Sequence, residues 1–309
     1  MSKIIYTFLV LAILTACGQV PDKDFNPDVR HPAYDSSTGP VVCLDEGHHN
    51  FHTLDGGFWA FGELLRRDGY VVESIRVRFD ETLLGHCAIL VIANAQLEGE
   101  WDDYPYPTPS AFSAEEIDAV QAWVSKGGAL LLIADHMPLA GASQELAFVF
   151  GVEFNNGFAV ANFEDESKQD AAFDKPTIFT LEDQTLAEHV ITAGRTPDET
   201  VSAVRSFTGQ AFQVPDVATP ILRLPQNFIS LMPKKAWQFD TETPRIPVGG
   251  WTQGAVMPYE LGRAAFFGEA AMFTAQRVDL KPVGMNAPQA EQNAQFVLNL
   301  MHWLSGILN

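Results

Sequence analysis

The chain has 309 residues, 47% hydrophobic and 19% charged, which excludes general disorder and leaves room for one large domain or two small ones. Its formal net charge is −20, a surface that repels phosphate backbones and anionic headgroups, so nucleic-acid binding and attachment through a basic patch are both excluded. Only three cysteines occur.

Lys3 gives a positive start, and Ile4 to Leu14 is an apolar run interrupted only by Tyr6 and Thr7. It is shorter than the roughly 20 apolar residues of a spanning helix and suits a signal-peptide core. Leu14-Thr15-Ala16-Cys17 resembles the lipobox of bacterial lipoproteins. The resemblance implies removal of residues 1–16, acylation of Cys17 and the lipid bilayer as a partner. An uncleaved anchor or an ordinary secretory signal is the alternative. Gly18 in place of Asp implies, by the same resemblance, a cell-envelope location at the periplasmic face of the outer membrane. Residues 17–39, rich in Pro, Asp, Ser and Asn without apolar periodicity, read as a lipidated tether, which leaves 40–309 as the folded domain.

From Pro40 apolar runs alternate with amphipathic stretches, the pattern of parallel strands joined by helical crossovers. Val41 to Leu44 is a short buried strand ending in Asp45-Glu46. Phe58, Phe61, Leu64 and Leu65 recur at helical spacing until Asp68-Gly69, and Tyr70-Val71-Val72 opens the next strand. Ala88 to Ala93 is a continuous apolar strand ending in Asn94. After a loop crowded with Pro, Tyr and Asp (Gly99 to Phe112), Ser113 and Glu116 form a capping box. The helix they open presents Ile117, Val120, Trp123 and Val124 on one face and stops at Gly127-Gly128. Ala129 to Ala134 is the fourth strand, followed at once by Asp135-His136. With Cys43 late in one strand and Cys87 just before its parallel neighbour, the two sulfurs are expected near opposite ends, as buried thiols. The region Phe154 to Pro247 reads as short strands extending the same sheet, with a short helix within Thr185 to Gln213 and a strand over Thr200 to Phe207. Trp251 to Pro258 and Gly262 to Phe267 pair as a hairpin, Gly268-Glu269 gives another strand an acidic tip, and a final helix runs from Pro288 to Leu304.

An open parallel sheet binds ligands beyond the carboxyl ends of its strands. Here those ends carry Asp45-Glu46, Asn94, Asp135-His136 and Glu269. The densest stretch, Asp45 to Thr53, holds His48, His49 and His52 beside the two carboxylates and Asn50. It can supply ligands to a zinc-type divalent metal or a histidine base oriented by a carboxylate, yet its spacing is not that of a helical His-Glu-x-x-His. Asp45 can equally cap the following helix, and His49 or His52 can pack on Phe51. Asp135 and His136 sit at the bend where α/β hydrolases carry their nucleophile, but no Ser or Cys stands there. Asp135 is there a nucleophile, base, ligand or helix cap. The candidate catalytic residues are therefore His48, Asp135 and His136, and the candidate ligand contacts are Asp45, Glu46, Asn50, His52, Asn94 and Glu269.

Asp45-x-x-His48-x-Asn50, the run Gly127 to His136, Gly268 to Phe273 and Asn293 to Leu304 together resemble an uncharacterised branch of the class I glutamine amidotransferase-like superfamily. The resemblance spans about Val41 to Asn309, weakly between Phe154 and Pro247. It implies a flavodoxin-like, doubly wound, mostly parallel α/β sheet with an extended second half. It does not imply amidotransferase activity, because those enzymes carry a Cys where this chain has Asp135-His136-Met137. The function expected is recognition of a small polar or saccharide ligand. The alternatives are a metal- or His/Asp-assisted hydrolase and a non-catalytic protein-docking domain.

Overall fold

The computed structural model describes residues 18–162, Phe173 and 175–309; Cys17 and the leader 1–16, which carry the lipidation and signal-peptide expectations, lie outside the described residues. After a short strand β1 (Gln19–Pro21), the first half follows the expected alternation: β2 (Val41–Asp45), α1 (Trp59–Arg67), β3 (Val71–Ile75), α2 (Glu81–Leu84), β4 (Ile89–Ala93), α3 (Ala114–Ser125), β5 (Ala129–Ile133) and α4 (Leu139–Phe148). β4 (ILVIA) and β5 (ALLLI) are buried at every position, as strands covered on both faces must be. Side chains alternate between two cores. Val42, Leu44, Val91, Leu131 and Ile133 share one with Phe61 and Leu64 of α1. Cys43, Leu90, Ile92, Leu130 and Leu132 share the other with Ile117, Val120 and Val124 of α3. The Ser113 hydroxyl accepts from the Glu116 N–H while the Glu116 carboxylate accepts from the Ser113 N–H, closing the capping box.

The second half contains β6 (Glu153–Phe154), β7 (Phe158–Ala161), β8 (Thr177–Thr180), α5 (Val190–Ala193), β9 (Ala203–Ser206), β10 (Phe212–Gln213), β11 (Thr219–Arg223), β12 (Phe228–Leu231) and β13 (Arg245–Pro247). It closes with β14 (Thr252–Tyr259), β15 (Gly262–Phe267), β16 (Ala275–Val278), β17 (Lys281–Gly284) and α6 (Asn293–Leu304). The main sheet runs β3-β2-β4-β5-β15-β14-β10-β6, with β11 also on β14. Its first five strands are parallel. From β14 onward the pairing is antiparallel, beginning with the expected hairpin.

The sheet is thus mixed rather than mostly parallel, and the second half does not merely extend it. Further antiparallel sheets, β7-β12-β13, β8-β9 and β1-β16-β17, stand beside it. The reason is local: Phe158, Val160, Ile229 and Leu231 bury against Met137 and Ala236 in a core of their own. α6 begins at Asn293 rather than Pro288. The preceding Gln292 side chain accepts from the backbone of Ser202 and Ala203, and Asn293 bonds both backbone groups of Arg205, which fixes the helix start on β9.

Two expectations are overturned here. Residues 18–39 are not a free tether: β1 pairs with β16, the Asp68 carboxylate accepts from the Ala33 N–H at 2.8 Å, and Phe25, Val29 and Tyr34 pack on the core. Those apolar residues lack periodicity because a strap laid along a surface needs none. Gly69, at φ +93°, lets the chain end α1 beneath this strap, where an added Cβ would sit 2.4 Å from the Tyr34 carbonyl oxygen. Cys43 and Cys87 are not free thiols but a disulfide, Cα–Cα 5.8 Å. Cys87 is not an extension of β4. Its N–H donates to the Leu84 carbonyl in a turn after α2, and it joins the core into which Cys43 points.

Candidate functional site

β2 delivers Asp45 to the carboxyl edge of the sheet, fully buried. Its carboxylate accepts from the Gly47 N–H and the Asn50 amide, each at 3.0 Å, and from His48 Nδ1 at 2.9 Å. His48 turns its other nitrogen inward, where Nε2 donates to Glu116 Oε1 at 3.0 Å. That oxygen also accepts from the Phe79 N–H. Phe79 and Phe112 flank the imidazole with centroids at 4.7 and 4.6 Å. Burial acts to lower the His48 pKa, but the bonds and charges of Asp45 and then Glu116 outweigh it, so the group is raised above its ordinary 6.5. A ring with a carboxylate at each nitrogen is an imidazolium. Asn50 completes the group by accepting from the His48 N–H.

Glu46 faces the other way, accepting from the Leu54 N–H and pairing with Arg76 at 2.9 Å. His49 is exposed, at φ +49°, and its carbonyl accepts from Gln96. His52 is buried between Phe51 and Phe58, burial lowers it to about 3, and its Nδ1 has no partner among the described residues.

Asn94, at φ +55°, ends β4 and ties the loops together. Its carbonyl accepts from the Phe51 N–H, its amide nitrogen donates to Asp135 Oδ2 at 3.0 Å, and its side-chain oxygen accepts from the Asp135 N–H. Asp135 Oδ1 accepts from the Ala270 N–H at 2.5 Å. Next to Ala270, Glu269 is 1% exposed and accepts from the N–H groups of Ala271 and Met272. Burial pushes the Asp135 carboxyl up to about 7, against the hydrogen bonds of Asn94 and Ala270. Burial, and then the charge of Asp135, hold Glu269 well above the ordinary carboxylate range.

His136 stacks on Phe158 at 4.4 Å and 14°, with Trp237 edge-on at 4.7 Å and Trp101 at 6.0 Å. Its Nδ1 donates to the Met137 carbonyl at 2.8 Å. A carbonyl only accepts, so the proton sits on Nδ1 and Nε2 carries the lone pair. Burial lowers the group to about 4, which keeps the ring neutral at neutral pH. Nε2 makes no hydrogen bond to another described residue. Trp101 Nε1 donates to Gln96, and Gln238 beside Trp237 donates to Asp102, so the two tryptophan loops are cross-linked over His136.

The strand ends therefore converge, but as two groups. Asn94 and Asp135 are hydrogen-bonded to each other, Glu269 lies next to them beside Ala270 and feels the Asp135 charge, and His136 stands beside this group. Asp45, His48 and Asn50 form another, closed by Glu116, and Glu46 and His52 belong to neither. Glu116 was visible in the sequence only as a helix cap. Trp101 sits in the loop that stood out for its Pro, Tyr and Asp, whereas Trp237 gave no local signal. Among the described residues no three His, Cys, Asp or Glu side chains are grouped to hold a metal ion. A cavity of about 740 Å³ opens elsewhere, between the Phe25–His31 strap and the start of α6, and none of the candidate residues lines it.

No family model matches the chain, and no curated protein matches it. Solved structures do. The mmIFT52 N-terminal domain is 13% identical, with a TM-score of 0.58 over 86% of this chain and 97% of that one. A cytoplasmic protein of Salmonella typhimurium LT2 is 13% identical, with a TM-score of 0.50 over 85% and 98%. These likenesses show the fold alone. Neighbours also include a ThuA-like protein from Bacteroides uniformis, a coarse fit at 10% identity and a TM-score of 0.45 over 88% and 94%.

Proposed function

We propose that this protein is an envelope lipoprotein, acylated at Cys17 and held at the periplasmic face of the outer membrane. Its domain, in this reading, is a glutamine amidotransferase-like, flavodoxin-related one lacking the elbow cysteine, and it binds a small polar or saccharide ligand without amidotransferase chemistry. The observation that carries binding is His136: a neutral ring whose Nε2 lone pair has no partner among the described residues, framed by half-buried Trp101 and Trp237. Aromatic faces take the C–H face of a sugar, and a fixed acceptor takes one of its hydroxyls. Asp135 and Asn94 lie at the same bend to add polar contacts. Export is supported by the Cys43–Cys87 disulfide, a bond that persists in oxidising compartments.

A thermal-shift screen of cell-wall saccharides tests this, because a ligand bound only by the folded state raises Tm. The expected outcome is a saccharide that raises Tm of the native chain and not of Trp237→Ala or His136→Ala. No shift with any saccharide, or equal shifts in all three chains, contradicts the reading.

One feature favours a second reading, a His/Asp-assisted hydrolase: the Asp135 carboxyl near 7 is suited to general acid–base work beside His136. Turnover of an ester or glycoside panel that disappears in Asp135→Asn would establish it, and no turnover in either chain would remove it.

A further inference from the structure

We infer that the turn joining β16 to β17, together with β1, is the face this protein lays on the lipid bilayer beside its acyl anchor; the inference rests on the reading of Cys17 as lipidated. Val278 pairs with Lys281, so Asp279 and Leu280 alone make the turn. Both are left-handed, at φ 47° and 68°. Two-residue turns of this hand favour Asn, Asp or Gly, and Asp279 conforms. Leu280 does not: a bulky side chain is disfavoured there, and at 88% exposure it gains little burial from the described residues to offset the strain. Backbone strain kept where the fold gains little points to a contact outside the fold.

The position of the turn names that contact. An added Cβ on Gly18 would lie 3.5 Å from Asp279 Oδ1, so the chain passes this turn one residue after Cys17. Consecutive Cα atoms are about 3.8 Å apart, so an anchor one residue before Gly18 tethers the chain close to this turn. Val20 in β1, opposite Arg277, is also 55% exposed. The local charge suits a membrane. Across residues 18–24 and 275–284, Lys23, Arg277 and Lys281 balance Asp22, Asp24 and Asp279, so this face is neutral on a chain of net charge −20. It meets headgroups without the repulsion the rest of the surface brings. An exposed leucine and valine inserted at the interface add apolar contact to the anchor and fix which way the domain faces.

The full chain, produced with its own leader and reconstituted in phosphatidylcholine vesicles carrying a lipid-borne quencher, tests this. Leu280→Cys and Leu261→Cys are each labelled with an environment-sensitive fluorophore. Leu261, 82% exposed in the β14–β15 hairpin, is the control, and Cys43 and Cys87 are tied up in their disulfide. Quenching several-fold greater at 280 than at 261 is expected, with the difference lost when detergent replaces the vesicles. Equal quenching in a chain that floats with the vesicles overturns the inference and leaves the anchor standing. A chain that does not float overturns both. A concentration-dependent shift of the 280 label in detergent assigns the turn to a second copy and also overturns it.

Discussion

The two histidine groups at the carboxyl edge of the sheet use similar residues to opposite ends. Around His48 every polar atom is spent: Asp45 takes three kinds of donor, Glu116 takes the other ring nitrogen, and two phenylalanines cover the faces. Around His136 one ring nitrogen is spent on a carbonyl, the other meets no hydrogen-bond partner among the described residues, and the neighbouring carboxyls sit where their charge is disfavoured. A saturated charged cluster holds loops in place, whereas an unsaturated neutral one has bonding capacity left for a ligand. Burial alone does not separate them, since His48 and His136 are 6% and 7% exposed. The hydrogen-bond inventory does.

The strongest way to break this comparison is Asp45→Ala. It strands an imidazolium and the Asn50 amide in the interior, and a loss of about 3–5 kcal/mol is expected in denaturant unfolding. A loss under 1 kcal/mol would mean that the cluster is not charged. Asp135→Asn sharpens the other side. The folded Asp135 binds its proton more tightly than the unfolded chain, so the stability it contributes is full below 3.8 and is lost as the pH rises to about 7. The Asn variant lacks that loss. Its stability relative to the native chain therefore climbs between pH 4 and 7, by up to about 4 kcal/mol, and a flat difference would contradict the account. Arg76→Ala gives the smallest effect. Arg76 is two-thirds exposed in its pair with Glu46, so about 0.2–1 kcal/mol is expected, detectable as a minor shift in the unfolding midpoint.

Much of this edge was legible because buried strands end abruptly. Asp45, Asn94, Asp135 and Glu269 each follow a continuous apolar run, and a polar residue at that point is bound for the carboxyl edge whatever lies between. What periodicity cannot carry is a side chain with two roles or a contact of long separation. Glu116 caps α3 with one oxygen and holds His48 with the other, and the cap exhausts the local signal. Trp237 reaches His136 only because the β7-β12-β13 sheet forms beside the main one, and its strands are too short to announce their pairing. The disulfide was not legible because strand positions alone put Cys43 and Cys87 near opposite ends of parallel neighbours, whereas a turn after α2 brings Cys87 over the face of β2. The N-terminal strap leaves no periodic trace in the sequence because its anchors are single residues.

The most direct test of the central contrast is nitrogen-15 NMR of the imidazoles across pH. The stability tied to His48 is full below 6.5 and is lost as pH rises through its elevated folded value, so His48 should still be doubly protonated at pH 6.5. His136 should remain neutral, with its proton on Nδ1, until the pH falls to about 4. A neutral His48 or a protonated His136 at pH 6 would contradict the division of this edge into a structural and a binding half.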